Sequence, residues 1–462
     1  LILAAVMTPL SPARATSVWY TSDGSSTDFF DLFRTPELWQ DVRPQVNVYK
    51  FYFQQLSDSS SFAQLKSLNA FGVLSSYNVK SAVEAPAIKD WDCTGTTTAA
   101  QALAVIRNVK AAGGALQAVA LDEPLTAGTG ACKLSVAQTA ANVATYIRKL
   151  RNNSAAQPPA GVLVVGDIEA YPRYSVSDLQ TYVDALISAG ARPAFLHLDV
   201  NVAYTQRTPS INVAGDLQAL QTFLAARGVA FGVILGPGYN PVSSDQSYYN
   251  HVMDWVNQLR FAVMPDHVIF QSWAKRAPKS CDDTLLHCGS CAPDDPPGCW
   301  QQSVPINLPD NDPTIYSHTK LIGDALPILR SGATGTAPTF ELTGKFENLV
   351  MDANGTAHLY GWACEVGLSY SVQVNVVARA KLGLVTHTIG TFRADQVNGS
   401  VVSEACASTT TGVAHRFVIT LSPVSISFYR GGQLMVQAIS PLNRPLYALP
   451  TTAGGTWMPL PQ

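Results

Sequence analysis

Leu116–Gly128 reads LQAVALDEPLTAG: an apolar run ends abruptly in two adjacent carboxylates and a proline. Six residues of β-type pattern before Asp122 suit a buried strand, and Pro124 suits the first position of a following helix. Burying an acid is costly without compensation, so acids at this position belong at an open strand end. A parallel barrel strand that delivers a carboxylate to its C-terminal mouth satisfies both demands.

Working outward, the same alternation of short β runs and longer helical patterns fills the first 330 residues. The β runs are SVWYTSD (Ser17–Asp23), VNVYKFYF (Val46–Phe53), AFGVLSSYN (Ala70–Asn78) and LQAVALDEP (Leu116–Pro124). They continue with GVLVVGDIEAYP (Gly161–Pro172), RPAFLHLDVN (Arg192–Asn201), VAFGVILG (Val229–Gly236) and DHVIFQSW (Asp266–Trp273). Helical segments lie between them: TTAAQALAVIRNVKAAGG stops at Gly113-Gly114, and SVAQTAANVATYIRKLRNN starts at Ser135 and ends in a basic turn. Eight strands with covering helices predict a (β/α)₈ barrel. An open doubly wound sheet is the alternative, but no glycine-rich phosphate loop follows the first strand. After Ser331 the texture changes. SVQVNVVARA and RFVITL alternate apolar and polar residues between Gly and Asn turns, which predicts a small all-β sandwich. The expected organisation is residues 1–15 as the remnant of a signal peptide, 16–330 as the barrel, 331–340 as a linker and 341–462 as a β-sandwich accessory domain.

The chain has 462 residues, 14% charged residues and a formal net charge of -3, with no basic run, which excludes a nucleic-acid-binding face. An apolar stretch, Leu1 to Leu10, precedes Ala13-Arg14-Ala15, the pattern of an export signal and its cleavage site. No other apolar run reaches the roughly 18 residues of a membrane span. Eight cysteines fit an oxidising compartment. Cys281, Cys288, Cys291 and Cys299 crowd one loop, where disulfides are expected and a four-thiolate zinc site is the alternative. Cys93 with Cys132, and Cys364 with Cys406, are the remaining expected pairs. The reading is thus of a secreted monomer.

Strand alternation then selects the candidate site. Asp167 and Glu169 share one face of the fifth strand and are expected near the lumen or mouth. His197, Asp199 and Asn201 share a face of the sixth, Gln271 and Trp273 of the eighth, and Lys50, Tyr52 and Gln54 of the second. With Asp122 and Glu123, five carboxylates on three consecutive strands form an acidic arc, in which each acid raises its neighbours' pKa. Such a pair is what glycosidic cleavage needs: an acid for the leaving oxygen and a base or nucleophile opposite. Trp19, Tyr20, Tyr77, Tyr171 and Trp273 are placed to stack on sugar rings. A bland role stands beside each: a helix cap for a single acid, a hydrogen-bonded spacer for His197, a barrel plug for Trp273, an ion pair for Lys50.

Leu121-Asp122-Glu123-Pro124 resembles the Asn-Glu-Pro ending of the fourth strand in the large clan of retaining (β/α)₈ glycoside hydrolases, and Trp273 is similar to that clan's tryptophan on the eighth strand. The resemblance implies Glu123 as acid/base. Asp122 replaces the usual Asn, and the seventh strand, VAFGVILGPG, lacks the clan's nucleophilic Glu. The second carboxylate must then come from elsewhere, Glu169 first and Asp199 or Asp167 next. The acidic ending also looks a little like that of chitinase-type and polygalactosaminidase-type barrels. Toward the C-terminus, Gly361-Trp362-Ala363-Cys364, Glu404, Cys406 and His415-Arg416-Phe417 resemble the GWACD-type β-sandwich module of secreted bacterial carbohydrate-active proteins, with Trp362 read as a core residue.

The expected function is a secreted glycoside hydrolase without cofactor, Glu123 donating the proton and Glu169 acting as nucleophile or base. The expected substrate-binding residues are Asp122, Asp167, His197, Asp199, Asn201, Tyr77, Lys50, Gln271, Trp273 and Trp19. Two alternatives come from other classes. One is a divalent-metal barrel enzyme, of phosphodiesterase or sugar-isomerase type, holding its ion on Asp122, Glu169, His197 and Asp199. The other is a glycan-binding barrel without chemistry, motivated by the missing seventh-strand acid. A serine hydrolase is disfavoured, because no Gly-x-Ser-x-Gly elbow occurs.

Overall fold

The computed structural model describes residues 16–26, 28–208, 210–240, 242, 244–274, 303–312, 314–332, 342–366, 372–381, 386–394, 396–397, 399–406, 414–439 and 446–461. The expected signal segment, most of the linker and the four-cysteine loop lie outside them.

Eight parallel strands close into a barrel in sequential order: β1 (Ser17–Thr21), β2 (Val48–Tyr52), β3 (Lys80–Pro86), β4 (Leu116–Asp122), β5 (Val164–Tyr171), β6 (Phe195–Val200), β7 (Ala230–Leu235) and β8 (His267–Gln271). β1 pairs with β8 from Ser17↔His267 to Thr21↔Gln271, and this pairing closes the barrel. Helices Thr96–Ala111, Val136–Arg151, Val176–Ser188, Val213–Ala225 and Asp245–Ala262 follow successive strands. Two of them start at capping boxes, Ser135 with Gln138 and Ser175 with Asp178, so orphan backbone donors are satisfied at the turn out of the loop.

Seven of the eight expected strands are present. The third is not where the sequence pattern placed it: Ala70–Ser76 is a helix, and the strand is Lys80–Pro86. The apolar residues of 70–78 were read with a period of two. Ala70, Phe71 and Leu74 instead share a helical face and are buried. Asn69, at φ +50°, opens that helix in a left-handed conformation that asparagine tolerates.

Burial separates two layers of the barrel. Trp19, Val48, Ala82, Ala118, Ala120, Ile168, Phe195, Ile234 and Ile269 form a cluster inside the lumen. The alternating positions, among them Val83, Val119, Leu121, Val165, Leu196, Leu198, Val233 and Phe270, pack outward against the helices. Two glycines make room for the lumen filling. A Cβ on Gly166 would lie 2.4 Å from the Phe195 ring, and one on Gly232 would lie 2.4 Å from His197 Cδ2.

The C-terminal region carries two antiparallel sheets. One has the order β13 (Gln396–Val397), β14 (Ala414–Leu421), β10 (Ala357–Glu365), β9 (Leu342–Met351). The other runs β12 (Thr386–Arg393), β11 (Gln373–Arg379), β15 (Gln433–Ile439), β16 (Tyr447–Ala448), with β17 (Met458–Pro459) also on β15. Phe346, Leu359 and Phe417 from the first sheet and Val374, Val376 and Val436 from the second belong to one buried cluster. Trp362 is not part of that core. It is half-buried and packs beside the Cys364–Cys406 disulfide. Both expected disulfides within the described residues are formed, Cys93–Cys132 and Cys364–Cys406. Among the described residues, no helix is long and apolar enough to cross a membrane.

Candidate active site

The alternation within each strand decides which polar side chains reach the mouth. With Trp19, Val48, Ala82, Ala120, Phe195 and Ile269 inward, the positions further along the same faces are Thr21, Lys50 and Tyr52, Glu84, Asp122, His197 and Asp199, and Gln271. Lys50 is fully buried in the lumen and forms an ion pair with Glu84. Its ammonium also donates to Gln271 Oε1 at 2.7 Å, and Gln271 Nε2 donates to Glu84 Oε2 at 3.2 Å. This three-membered network floors the mouth. Burial raises the Glu84 pKa, the charge of Lys50 opposes that rise, and Asp122 adds to it. At the rim Lys89 donates to Asp122 Oδ2 at 2.6 Å.

Above this floor, Glu123, Ala170, Tyr171, Pro172, Arg173, Asp199, Asn201, Tyr204 and Tyr239 line a cleft of about 470 Å³. Glu123 and Asp199 are its two carboxylates. The Tyr239 hydroxyl donates to Asp199 Oδ2 at 3.2 Å, and the Tyr239 ring lies 5.1 Å from that of Trp273. Burial pushes the Asp199 carboxyl up to about 7, with the nearby charges of Glu123 and Glu84 contributing and the Tyr239 hydrogen bond opposing. Glu123 is raised as well, by burial and then by Asp122, while Lys89, Thr126 and Arg173 hold the rise down. Asn201 accepts from Tyr204 N–H at 2.9 Å and so starts the helix Val202–Arg207 at the cleft wall.

Asp167 and Glu169 are placed differently from the expectation. They do share a face of β5, but it is the outward one: Ile168 between them belongs to the lumen cluster. Both are buried under the helical layer. The Tyr182 hydroxyl, from helix Val176–Ser188, donates to Asp167 Oδ2 at 2.7 Å. Leu125 N–H, in helix Pro124–Gly130, donates to Glu169 Oε1 at 2.6 Å. Burial drives both pKa values up, that of Asp167 to about 8, and each acid adds to the other's rise or to that of its acidic neighbours. Glu123 and Glu169 therefore do not line a common cleft.

Three further candidates lie away from the mouth. Trp19 and His197 fill the lumen. His197 Nε2 and His267 Nδ1 share a hydrogen bond of 2.9 Å, His197 stacks on Phe195 at 4.2 Å, and Trp19 meets both rings edge-on. Tyr77 caps the helix that precedes β3, at the opposite end of the barrel, with the Arg43 guanidinium 3.3 Å above its ring. The set Asp122, Glu169, His197 and Asp199 is accordingly dispersed over mouth, helical layer and lumen. Among the described residues no group of three or more His, Cys, Asp or Glu side chains is arranged to hold a metal ion.

Glu84 and Tyr239 were missed. Glu84 was lost with the misplaced third strand; the run KSAVEAP after the Asn78 turn is the signal that would have found it. Tyr239 sits in the loop after β7 at φ +65°, a conformation no strand pattern encodes.

No known family and no curated protein matches the chain. Among solved structures, it is similar to a calcium-binding mutant of Bacteroides uniformis beta-glucuronidase 2, with 10% identity, 96% of this chain and 46% of that chain covered, and a TM-score of 0.38. It is also similar to a thermostable mutant of a xylanase from Cellvibrio japonicus, with 12% identity, 55% and 86% covered, and a TM-score of 0.34. Haloferax volcanii malate synthase matches at 9% identity, 55% replaced by 56% of this chain and 68% of that chain covered, with a TM-score of 0.35. The chain thus spans less than half the length of the glucuronidase. The neighbours include glycoside hydrolases and an enzyme of unrelated chemistry, as a widely shared fold allows.

Proposed function

We propose that this chain is a glycoside hydrolase whose working pair is Glu123 and Asp199. One observation carries the reading: these two carboxylates line the same cleft at the C-terminal mouth, and both are shifted toward holding a proton. Their environments differ in the way acid/base division requires. Asp199, hemmed by like charges, keeps its proton up to about pH 7. Glu123, with Lys89 and Arg173 nearby, ionises more readily. Asp199 therefore serves as the acid for the glycosidic oxygen, and Glu123 meets the sugar carbon directly or through a water. This reverses the role that the Asp-Glu-Pro resemblance implies for Glu123. Tyr204 and Tyr239, exposed at the cleft, and Trp273 beside Tyr239 offer faces for sugar rings.

Export fits the two disulfides, since such bonds persist outside reducing compartments. The C-terminal sheets then form an accessory domain, and the protein acts as a monomer on poly- or oligosaccharide. The test is release of reducing ends from a broad glycan panel by the wild type and by Glu123→Gln and Asp199→Asn. Loss of turnover in both variants, with folding retained, supports the pair. Glycan binding without any release by the wild type would overturn it in favour of a non-catalytic barrel.

A further inference from the structure

Glu123 occupies an unfavourable backbone conformation. Its φ and ψ are 43° and 53°, left-handed for a residue with a Cβ, and it stands directly before a proline, which disfavours helical conformations in its predecessor. Such a residue costs about 1–3 kcal/mol and persists only where its surroundings over-determine it. Here β5 supplies the constraint from both sides. Glu123 N–H donates to the Ile168 carbonyl at 3.1 Å, and two residues on, Leu125 N–H donates to Glu169 Oε1 at 2.6 Å. Glu169 is fully buried, and its second oxygen has no hydrogen-bond partner.

We propose that Glu169 is a positioning residue: by holding Leu125 N–H it locks the turn that aims the Glu123 carboxyl into the cleft, without touching substrate itself. The inference rests on the reading of that cleft as hydrolytic. Glu169 faces Asp167 on its own strand, Tyr182 from helix Val176–Ser188, and Glu123 and Thr126 from the turn. Burial among them keeps its proton on well above the usual carboxylate range. Glutamine is then a close substitute, because it is neutral and keeps the accepting oxygen. Glu123 itself faces Asp122, Lys89, Thr126 and Arg173, and Asp199 across the cleft, none of which these substitutions remove.

The experiment compares Glu169→Gln and Glu169→Ala in the full chain. The expected result for E169A is a kcat about 100-fold lower with KM nearly unchanged, because a misaimed group loses rate rather than binding. E169Q should recover most of kcat with the pH profile in place. Amide hydrogen exchange supplies a readout independent of turnover: Leu125 and Thr126 should exchange faster in E169A and at the wild-type rate in E169Q. Should the alanine variant not fold, Glu169→Met fills the volume without an acceptor and carries the same comparison. Wild-type kcat and unchanged exchange in E169A would overturn the proposal. Equal inactivity of E169Q and E169A with unchanged exchange would also overturn it, by placing Glu169 in the chemistry. A wild type that hydrolyses no glycan would sink the hydrolase reading, and the exchange comparison would still decide whether Glu169 holds the turn.

Discussion

Two groups of buried acids sit on neighbouring strands of one barrel and differ by a single residue of strand parity. Asp122 and Asp199 follow inward-facing positions and reach the mouth, beside Glu84 and Glu123. Asp167 and Glu169 flank the inward-facing Ile168 and end under the helices, one on Tyr182 and the other on Leu125 N–H. The first group meets cations and a cleft; the second meets hydrogen-bond donors and no open space. Residue type and strand-end position are the same in both. What differs is the side of the sheet, and with it whether a raised pKa serves chemistry or only records burial.

The largest effects that would test this contrast belong to the cleft. Glu123→Gln and Asp199→Asn should each lower kcat by about 10²–10⁴-fold, the usual span for a positioned acid or base, with unfolding curves close to wild type. Asp167→Asn should leave kcat within a few-fold; a loss as deep as that of D199N would erase the distinction between the two faces.

The next effect concerns the floor of the mouth. Lys50→Met strands Glu84, and breaking one side of a buried ion pair costs about 3–5 kcal/mol, readable as a shift in denaturation midpoint. A midpoint unchanged by K50M would mean that the Lys50–Glu84 pair is not part of the barrel's support.

The pH dependence separates the groups by sign. The folded-state pKa of Asp167 is raised, to about 8, so the native protein binds more protons than the unfolded chain between the ordinary carboxylate range and that value. Its contribution to stability is fully present at acid pH and is lost as pH rises through about 8. Stability should decline across that window, and D167N should flatten the decline. Activity should fall on its alkaline limb near pH 7, where Asp199 loses its proton. The smallest expected effect is at Tyr239. Its hydrogen bond favours the ionised form of Asp199, so Tyr239→Phe should move the alkaline limb upward by about half a pH unit to one unit.

Much of the architecture was legible in the chain. Seven strands, the helices between them and two disulfides follow from apolar periodicity, glycine stops, serine caps and cysteine placement. The third strand was not, because Ala70–Ser76 carries β-type residues at helical spacing and propensity yields there to packing against the barrel. That error concealed Glu84. At the site, Glu123, Asp199, Asn201, Lys50 and Gln271 could be named from strand ends. Tyr239 could not, since its position depends on a loop conformation at φ +65°.

By itself the sequence determined that residues two apart on a strand share a face, and hence that Asp167 goes with Glu169 and His197 with Asp199. Only the tertiary structure decided which face looks into the lumen, because that choice is made by register and closure: a ring of strands has one inside, and Ile168 with Phe195 fills it. Local periodicity is blind to that choice, and on it depends which acids can meet a substrate.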